Sequence, residues 1–334
     1  MVDTHCHLNF EDFKNDLEEV VERARAEAVK MVVVSSDYEN SRRAIELAGK
    51  YDNDIWAAVG LHPIHLGSEQ KAENSEQHGE EFDYGKYLAL AKNKKVVAIG
   101  EVGLDYHHFD TTNLRINYES TNGVGGEINE NSEDSIGRGA SDFEVAKKEV
   151  ARIIELQKSV FREFVRMADE VAKPLIIHCW NADKSDRELV GDAVAYEDVL
   201  EIVHGSQFTV SHFAEATRDK HGLRNNKRGV VHSFVGNYKT AFKFIEEGFL
   251  IGLNGIITYS ESYDRLIREI GLENIVLETD APYLTPAPLE RYSRNEPVNV
   301  KLVAQKVASV LEVDVQVVAD VTSRNARELF GISF

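Results

Sequence analysis

Short apolar runs recur along the chain and alternate with longer segments in which apolar residues return at helical spacing. Runs such as KMVVVSS, KVVAIG and PLIIHCW are apolar at nearly every position, which is typical of strands in a parallel sheet that is buried on both faces. This pattern predicts eight strands. They are residues 2–8, 30–36, 55–62, 96–102, 174–180, 229–234, 249–254 and 275–280.

Helical patterns occupy most of the spaces between these strands. The clearest are EDFKNDLEEVVERARAEA, SRRAIELAGKY, EVAKKEVARIIELQKSVFREFVRMADEVA, YKTAFKFIEEG and SYDRLIREIG. Two more helices are predicted at the end of the chain, around 298–311 and 314–330. Strand and helix alternate eight times, so residues 1–334 are predicted to form one α/β domain, a (β/α)8 TIM barrel.

Two segments depart from the regular strand–helix unit. Residues 110–142 are rich in Asn, Ser, Gly, Glu and Asp, which predicts a partly disordered loop insertion after the fourth strand. Residues 181–228 are also long for a connection between strands, and their apolar run FTVSHFAEA is compatible with an extra strand.

The formal net charge of −19 at pH 7 argues against a protein that coats nucleic acid nonspecifically. The charge does not exclude a nuclease, because bound metal neutralises acidic ligands and a local basic rim can exist on an acidic body. Five basic residues close together in the sequence are either such a rim or a solvated loop. They are Arg218, Lys220, Arg224, Lys227 and Arg228.

The chain has the hydrophobic content of a large core, 43%, but no apolar run of about 18 residues that would predict a membrane span. The N-terminal MVDTHCHLNFEDF lacks the pattern of a signal peptide, and two cysteines do not imply a disulfide framework. We therefore expect a cytoplasmic protein, or a nuclear one if the source is eukaryotic, without a stable protein partner. Cys6 and Cys179 are predicted to point away from the neighbouring histidines, because side chains alternate along a strand.

Six potential metal ligands share one local setting, the end of an apolar strand run. The C-terminal strand ends of a (β/α)8 barrel converge on one face, so these side chains are predicted to form one metal centre. Histidine and carboxylate ligands suit one or two divalent ions such as Zn, Mn or Mg. The six residues are His5, His7, Glu101, His178, His232 and Asp280.

Two of these six residues are also the predicted catalytic residues. Glu101 ends the fourth strand, midway round the barrel, where its carboxylate can bridge two ions. Asp280, at the end of the eighth strand, can bind an ion and accept a proton from the attacking water. Such a centre indicates hydrolysis by metal-activated water. No phosphate-binding glycine loop and no dinucleotide fingerprint competes with this interpretation.

The remaining histidines differ in their predicted positions. His62 ends the third strand and is predicted to face the same site and to contact the substrate. His212, in TVSHF, is the rival of His232 as a ligand, and His232 is preferred because a clear strand–helix–strand unit contains it. The others are expected on the solvated surface. They are His65, His78, His107, His108, His204 and His221.

Blocks of the chain resemble the TatD family of metal-dependent DNases, in order, from residue 2 to about residue 332. They are VDTHCHL, VGLHP, AIGEVGLDY, PLIIHCW, GVVHSFVG, GFLIGLNG, LETDAPYLTP, RNEP and TSRNARELFGI. The resemblance implies a TIM barrel of the amidohydrolase-like superfamily with a divalent metal centre. It also implies DNA as the substrate and deoxyribonuclease activity that is often exonucleolytic from 3′ to 5′. By motif position, the ligands of the family fall on the same six residues.

The chain departs from the family pattern after the fifth strand. Members usually carry Arg-Asp two and three residues beyond the fifth-strand histidine, where this chain has Trp180 and Asn181. Trp180 is predicted either to stack on a base, as aromatic side chains do in single-strand binding, or to serve in packing.

A different cation is needed if the usual arginine is absent. Arg294 and Asn295, in RNEP after the eighth strand, are predicted to lie near the metal centre and to hold a phosphate. The alternative is a surface ion pair of Arg294 with Glu296 or Glu290.

A second class of function is an amidohydrolase or lactonase that acts on a small cyclic substrate, because similar barrels host such chemistry. An open mouth lined by Arg or Lys would favour the nuclease, whereas a small closed pocket would favour the amidohydrolase. A catalytically silent scaffold is disfavoured, since all six ligand positions hold competent residues.

Overall fold

Eight parallel strands form one sheet in which the spatial order follows the chain order. The computed structural model describes residues 1–67, 80–108, 133–184, 187–206 and 227–334, and for 133–142 only the backbone. The strands in these ranges are β1 Val2–Cys6, β2 Lys30–Val33, β3 Ile55–Val59, β4 Val96–Asp105, β5 Leu175–Trp180, β6 Gly229–Val231, β7 Phe249–Leu253 and β8 Ile275–Leu277.

The residues that follow β8 bring the sheet round to β1. Cys6 and Ala281 form a parallel bridge, and the backbone N–H of His7 donates to the carbonyl of Ala281 at 2.7 Å. The backbone N–H of Asp280 donates to the carbonyl of His5 at 2.8 Å. The sheet is thus a nearly closed barrel, and the predicted (β/α)8 architecture is confirmed.

Helices lie between the strands and cover the outside of the sheet. They are α1 Leu17–Ala26, α2 Tyr38–Lys50, α3 Tyr84–Ala91, α4 Glu133–Val171, α5 Arg187–Val190, α6 Ala195–Gly205, α7 Tyr238–Glu246, α8 Asp264–Ile270, α9 Val300–Leu311 and α10 Val315–Phe330. Asp37, Asp83 and Asn237 cap α2, α3 and α7, because each side chain accepts a backbone N–H of the first turn. No helix among the described residues is long and apolar enough to cross a bilayer.

The predicted insertion at 110–142 is too long at its C-terminal end. The backbone of residues 133–142 belongs to α4, which continues without interruption to Val171. The polar composition of this stretch led the prediction to treat it as a loop. The rest of the insertion, and the run FTVSHFAEA, lie outside the described residues.

Every strand contributes at least one apolar side chain to a layer inside the barrel, away from the outer helices. These residues are Val2, Val32, Val34, Ala58, Ala98, Ile176, Val230, Leu250 and Val276. Ala326, Leu329 and Phe330 of α10 pack against this layer and close that end of the barrel. Chemistry is therefore restricted to the opposite end, where the strands finish.

The alternation of side chains along a strand places polar groups directly above the aliphatic layer. His178 follows Ile176 by two residues, and His232 follows Val230 by two, so both imidazoles point into the barrel. A side chain at position 252 would collide with Glu278, because a Cβ atom on Gly252 would lie only 2.5 Å from Glu278 Oε2. A Cβ atom at Gly60 would lie 2.7 Å from the carbonyl oxygen of Glu101. Gly252 thus leaves room for a buried carboxylate, and Gly60 leaves room for the backbone that carries Glu101.

Arg228 is a buried structural residue, which corrects its assignment to a basic rim or a solvated loop. It is only 1% exposed. Its guanidinium donates to the carbonyl of Val203 and to Ser206 Oγ, both at 2.8 Å, and to Glu247 Oε2 at 3.2 Å. Of the other four basic residues, Lys227 pairs with Glu328 at 3.6 Å, and the remaining three lie outside the described residues.

Removal of the Arg228 side chain is expected to destabilise the fold rather than to weaken substrate binding. Because Arg228→Ala leaves Glu247 and buried acceptors without the guanidinium, we expect the free energy of unfolding to fall by about 3–5 kcal/mol. Urea denaturation measures this change. The matched control is Arg42→Ala, which removes an exposed pair with Glu39 and should cost about 0.5 kcal/mol or less. Equal stability of the two variants would contradict the structural role.

Candidate metal centre

The structure brings the six predicted ligands together at the C-terminal ends of the strands. His5 belongs to β1, His178 to β5 and Glu101 to β4. His7, His232 and Asp280 follow the last residues of β1, β6 and β8. All six line or adjoin the same end of the barrel because parallel strands finish on one face.

The first group of donor atoms lies around His5 and His7. The Nε2 atoms of these two histidines are 3.2 Å apart. Asp280 Oδ1 lies 3.2 Å from His7 Nε2 and 3.5 Å from His5 Nε2. Glu101 Oε2 lies 3.4 Å from His5 Nε2. Four donor atoms from three strands therefore face one small volume.

The second group of donor atoms lies around His178 and His232. His178 Nδ1 is 3.3 Å from His232 Nε2. Glu101 Oε1 is 2.9 Å from His178 Nδ1 and 2.6 Å from His232 Nε2. Glu101 thus turns one carboxylate oxygen to each pair of histidines.

The spacing of these atoms fits divalent metal ions. A tetrahedral ion with metal–ligand bonds of about 2.0–2.1 Å holds its ligands about 3.3 Å from one another. The separations quoted for the first group, 3.2–3.5 Å, lie near that value, and those of the second group are 2.6–3.3 Å. Glu101 with His5 and His7, and Glu101 with His178 and His232, each offer three ligand atoms within 4.8 Å of one another. A carboxylate between two histidine pairs is the arrangement expected of a ligand that bridges two ions.

The carboxylates of the centre are ionised at neutral pH. Burial alone would raise the pKa of Glu101, but the positive field of His232 and the other imidazoles holds that pKa well below its usual range. Burial acts on Asp280 in the same direction, and the hydrogen bond from His7 lowers its pKa below the ordinary value. Two negative charges are therefore available to bind cations.

His62 belongs to the same site and is a neutral hydrogen-bond donor. Its Nδ1 accepts the backbone N–H of Ile64 at 3.1 Å, so the ring proton resides on Nε2, which lies 3.4 Å from Glu101 Oε1. Burial and the nearby charge of His178 lower the pKa of His62 to about 4. The neutral ring thus presents an N–H group at the centre.

Two buried carboxylates of the site were missed in the sequence. Asp105 Oδ2 accepts a hydrogen bond from His178 Nε2 at 2.9 Å, and Glu278 Oε1 lies 3.6 Å from His232 Nδ1. Asp105 was missed because β4 was predicted to end at residue 102, whereas it continues to Asp105. The signal for Glu278 was its place in LETD, two residues before Asp280.

Several predictions for the remaining histidines and cysteines are changed by the structure. His65 is buried rather than solvated. His108 is exposed, as predicted, but it also lines the cleft, where its Nδ1 atom lies 2.8 Å from Asp105 Oδ2. His204 is 75% exposed and pairs with Glu247, in agreement with a surface position. The rival ligand His212 lies outside the described residues, as do His78 and His221. Cys6 and Cys179 are free and buried.

The predicted substrate contacts differ in position. Trp180 and His62 line the cleft above the centre, and Trp180 stacks on the His107 ring at 4.8 Å. Arg294 makes a two-point pair with Asp16 and a second pair with Glu296 at 3.2 Å, which matches the alternative of a surface ion pair.

Asn295 is fully buried beside this pair. Its side chain donates to the carbonyls of Thr279 at 3.0 Å and Tyr283 at 2.8 Å. Neither Arg294 nor Asn295 belongs to the described lining of the cleft. Asn295 therefore holds the loop that carries Asp280, in place of the predicted phosphate contact.

An open cleft of about 1300 Å³ gives access to the centre. Phe10, Trp180 and Tyr283 supply aromatic surface to its wall, and Tyr283 is 52% exposed. Five further carboxylates line the cleft in the segments that follow β1, β2 and β3, and Arg43 is the one Lys or Arg among the described lining residues. These carboxylates are Glu11, Asp12, Asp37, Glu39 and Glu80.

The family model described as TatD related DNase matches residues 2–331. The chain belongs to the TatD family. The similarity of this TatD family member to the uncharacterized metal-dependent hydrolase YabD of Bacillus subtilis strain 168 extends over all of both chains, with 32% identity over 336 residues. The family and its relatives identify the protein as a metal-dependent hydrolase.

Two solved structures have the same fold as this TatD family member. The TatD homologue YjjV of Escherichia coli K12 superposes with a TM-score of 0.65 at 22% identity, covering 100% of this chain and 98% of its own. A TatD family hydrolase of Entamoeba histolytica gives a TM-score of 0.64 at 19% identity, with the same coverage. At these identities the likeness supports the barrel alone.

Metal binding is expected to stabilise this TatD family member. Each ion present at one hundred times its Kd adds about 2.7 kcal/mol to the free energy of unfolding. In domains of 150–250 residues 1 kcal/mol raises Tm by roughly 2–4 °C, and in a chain of 334 residues it raises Tm by somewhat less. Chelated protein should therefore melt several degrees higher after addition of Mn²⁺ or Zn²⁺, as calorimetry would measure.

Two variants distinguish metal binding at this centre from metal binding at an exposed histidine. His204→Ala should keep the full increase in Tm, whereas His232→Ala should lose part of it. An unchanged Tm of the original protein with Mg²⁺, Mn²⁺ and Zn²⁺ in turn would contradict a metal centre.

Proposed function

We propose that this TatD family member is a deoxyribonuclease that hydrolyses phosphodiester bonds of DNA at a centre of two divalent ions. The observation that carries the proposal is the position of Glu101, whose two carboxylate oxygens face separate histidine pairs. The family description supports DNA as the substrate, and the resemblance to its members supports release of nucleotides from the 3′ end. The imidazole-rich set of ligands favours Zn²⁺ over Mg²⁺.

Different residues of the chain have different roles in such a reaction. His5, His7 and Asp280 would hold one ion and His178 and His232 the other, with Glu101 between them. When bound, such ions activate water and stabilise negative charge on the phosphoryl group. Every other step is assigned to side chains of the protein.

Asp280 is the proposed general base. Its side chain is 14% exposed and lines the cleft, so water from the cleft can reach it. Because its pKa lies below the ordinary value, the carboxylate is ionised at neutral pH and able to accept the proton that water loses on attack. The position of its Oδ1 atom, 3.2 Å from His7 Nε2, places the carboxylate at the centre.

His62 is proposed to hold the scissile phosphate. A neutral imidazole with its proton on Nε2 donates one hydrogen bond, and this N–H lies at the floor of the cleft beside Glu101. A phosphoryl oxygen accepts such a bond. Since the ring stays neutral through the usual working range of pH, the contact supplies orientation without a full positive charge.

A single strand of DNA is proposed to bind along the aromatic part of the cleft. The five carboxylates that follow β1, β2 and β3 repel a phosphate backbone, and the lining cation Arg43 already pairs with Glu11 at 3.0 Å. Phe10, Tyr283 and Trp180 offer ring faces instead, on which bases of any sequence can stack. The absent arginine after the fifth strand is consistent with this mode, because Trp180 occupies its place.

Removal of the Trp180 ring is expected to weaken substrate binding more than it slows chemistry. Loss of one stacked base costs about 1–3 kcal/mol, so Trp180→Ala should raise KM for single-stranded DNA roughly 5- to 150-fold with a smaller change in kcat. Steady-state kinetics measures both. Tyr292→Ala is the matched control, because this ring is 90% exposed and lies outside the described lining. An unchanged KM for Trp180→Ala would assign that ring to packing.

The experiment that tests the proposal uses chelated protein with Mg²⁺, Mn²⁺ or Zn²⁺ against single-stranded DNA labelled at either end. We expect metal-dependent release of mononucleotides from the 3′ end, so a 5′ label should report a ladder of shortened strands. Hydrolysis of cyclic amides or lactones by the same preparation, without cleavage of DNA, would instead assign the barrel to the amidohydrolase class.

A further inference from the structure

His178 has a buried carboxylate on the side that faces away from Glu101. Asp105 is 1% exposed, and its Oδ2 atom accepts a hydrogen bond from His178 Nε2 at 2.9 Å. The same oxygen lies 2.8 Å from His108 Nδ1. The other oxygen, Oδ1, accepts the backbone N–H groups of His107 and His108, both at 2.8 Å. The orientation of this carboxylate is thus fixed by backbone donors.

A metal ion binds His178 only after the ring has lost one proton, and the neutral imidazole then carries one N–H group and one lone pair on different nitrogens. If Nε2 of His178 donates its proton to Asp105, the lone pair is left on Nδ1, which faces Glu101 and His232. We infer that Asp105 is a positioning residue, which holds His178 in the tautomer that can bind the second ion of the centre. The inference rests on the proposed two-ion function. Carboxylates behind metal-binding histidines act in this way in other metal sites.

A rival interpretation places a further ion among His62, Asp105 and His178, whose potential ligand atoms also converge. The hydrogen bonds contradict this interpretation. His62 Nδ1 accepts the N–H of Ile64, so Nε2 of that ring carries a proton and has no lone pair for a metal. His178 would need two lone pairs to bind one ion with Asp105 and another with Glu101. A neutral imidazole ring has only one.

The change of Asp105 to Asn tests this role with almost no change of shape. Two backbone N–H groups at the position of Oδ1 require an acceptor there, so the amide oxygen of Asn takes that place. The amide NH₂ group then faces His178 Nε2 and donates to it. The ring proton moves to Nδ1, where it blocks the lone pair on the metal side.

The experiment is calorimetric titration of chelated protein with Zn²⁺, together with the metal content after dialysis. The original protein should bind two ions. Asp105→Asn should keep one at its original affinity and bind the other at least about 10- to 100-fold more weakly. Asp83→Asn is the matched control, because Asp83 also accepts a backbone N–H but caps α3 away from the cleft. This variant should bind two ions.

Nitrogen-15 NMR of histidine in the zinc-loaded original protein gives a readout that needs no variant, even if Asp105→Asn does not fold. We expect a protonated Nε2 and a metal-shifted Nδ1 for His178. The reverse pattern, or two ions bound by Asp105→Asn at original affinity, would overturn the role of Asp105 and leave the two-ion centre standing. One ion bound by the original protein would overturn the centre itself, and three would support the rival site.

Discussion

Glu101→Ala is expected to abolish metal-dependent hydrolysis while leaving the barrel folded. Among the described residues, Glu101 is the side chain whose oxygens face both histidine pairs, so its loss removes a ligand from both halves of the proposed centre. Metal ions contribute several kcal/mol to a hydrolytic transition state, which corresponds to a loss of rate on the order of 10³-fold or more. Calorimetric titration should show at the same time that binding of both ions is weakened.

The fold should survive this change because Glu101 lies above the aliphatic layer rather than in it. Circular dichroism of the metal-free variant should match that of the original protein. Glu197→Ala, which removes a surface pair with Lys243, is the matched control and should keep full activity. Normal turnover by Glu101→Ala with both ions bound would rule out the bridging role.

Asp280→Asn is expected to lower kcat by about 10²–10⁴-fold, the range for loss of a general base, with a small change in KM. The amide retains an oxygen that can take the place of Oδ1 near His5 and His7, but it cannot accept the proton of the attacking water. The variant therefore separates proton transfer from assembly of the centre. Steady-state kinetics on DNA, with metal content measured in parallel, gives both quantities.

Asp264→Asn is a suitable control, because Asp264 pairs with Lys306 on the outside of the barrel. It should have the kcat of the original protein. If Asp280→Asn also retains the original kcat while binding two ions, another group accepts the proton and the assignment of Asp280 fails.

The positions of the six candidate ligands could be predicted because each lies at the end of an apolar strand run. In a barrel of parallel strands, that single local feature determines which end of the molecule a side chain reaches. His178 and His232 illustrate this, since each stands two residues after an interior aliphatic residue on its strand. The predicted strands and their ends were therefore sufficient to place residues from distant parts of the chain at the same end of the barrel.

Asp105 could not be placed because the predicted β4 stopped three residues too early. The spacing in GEVGLD puts Asp105 four residues after Glu101, on the same side of an extended strand, and this signal was available. This spacing was not used, because residues 103–105 were predicted to form a loop. The prediction of ligands by strand ends is thus sensitive to where each strand finishes.

The partners of the arginines could not be predicted for a different reason. Arg294 pairs with Asp16, which is 278 residues away in the sequence. Arg228 is buried by contacts with Val203 and Glu247, while its neighbours in the sequence are polar and gave the appearance of a solvated loop. Ion pairs between distant segments depend on the packing of whole elements, which local patterns do not encode.

The most direct test of the two-ion centre is anomalous diffraction from crystals soaked in Mn²⁺. We predict two anomalous peaks, about 3.5–4 Å apart as in other two-metal sites, on either side of the Glu101 carboxylate. One should lie beside His5 and His7 and the other beside His178 and His232. A single peak that Glu101 does not contact, or no peak at this end of the barrel, would contradict the account.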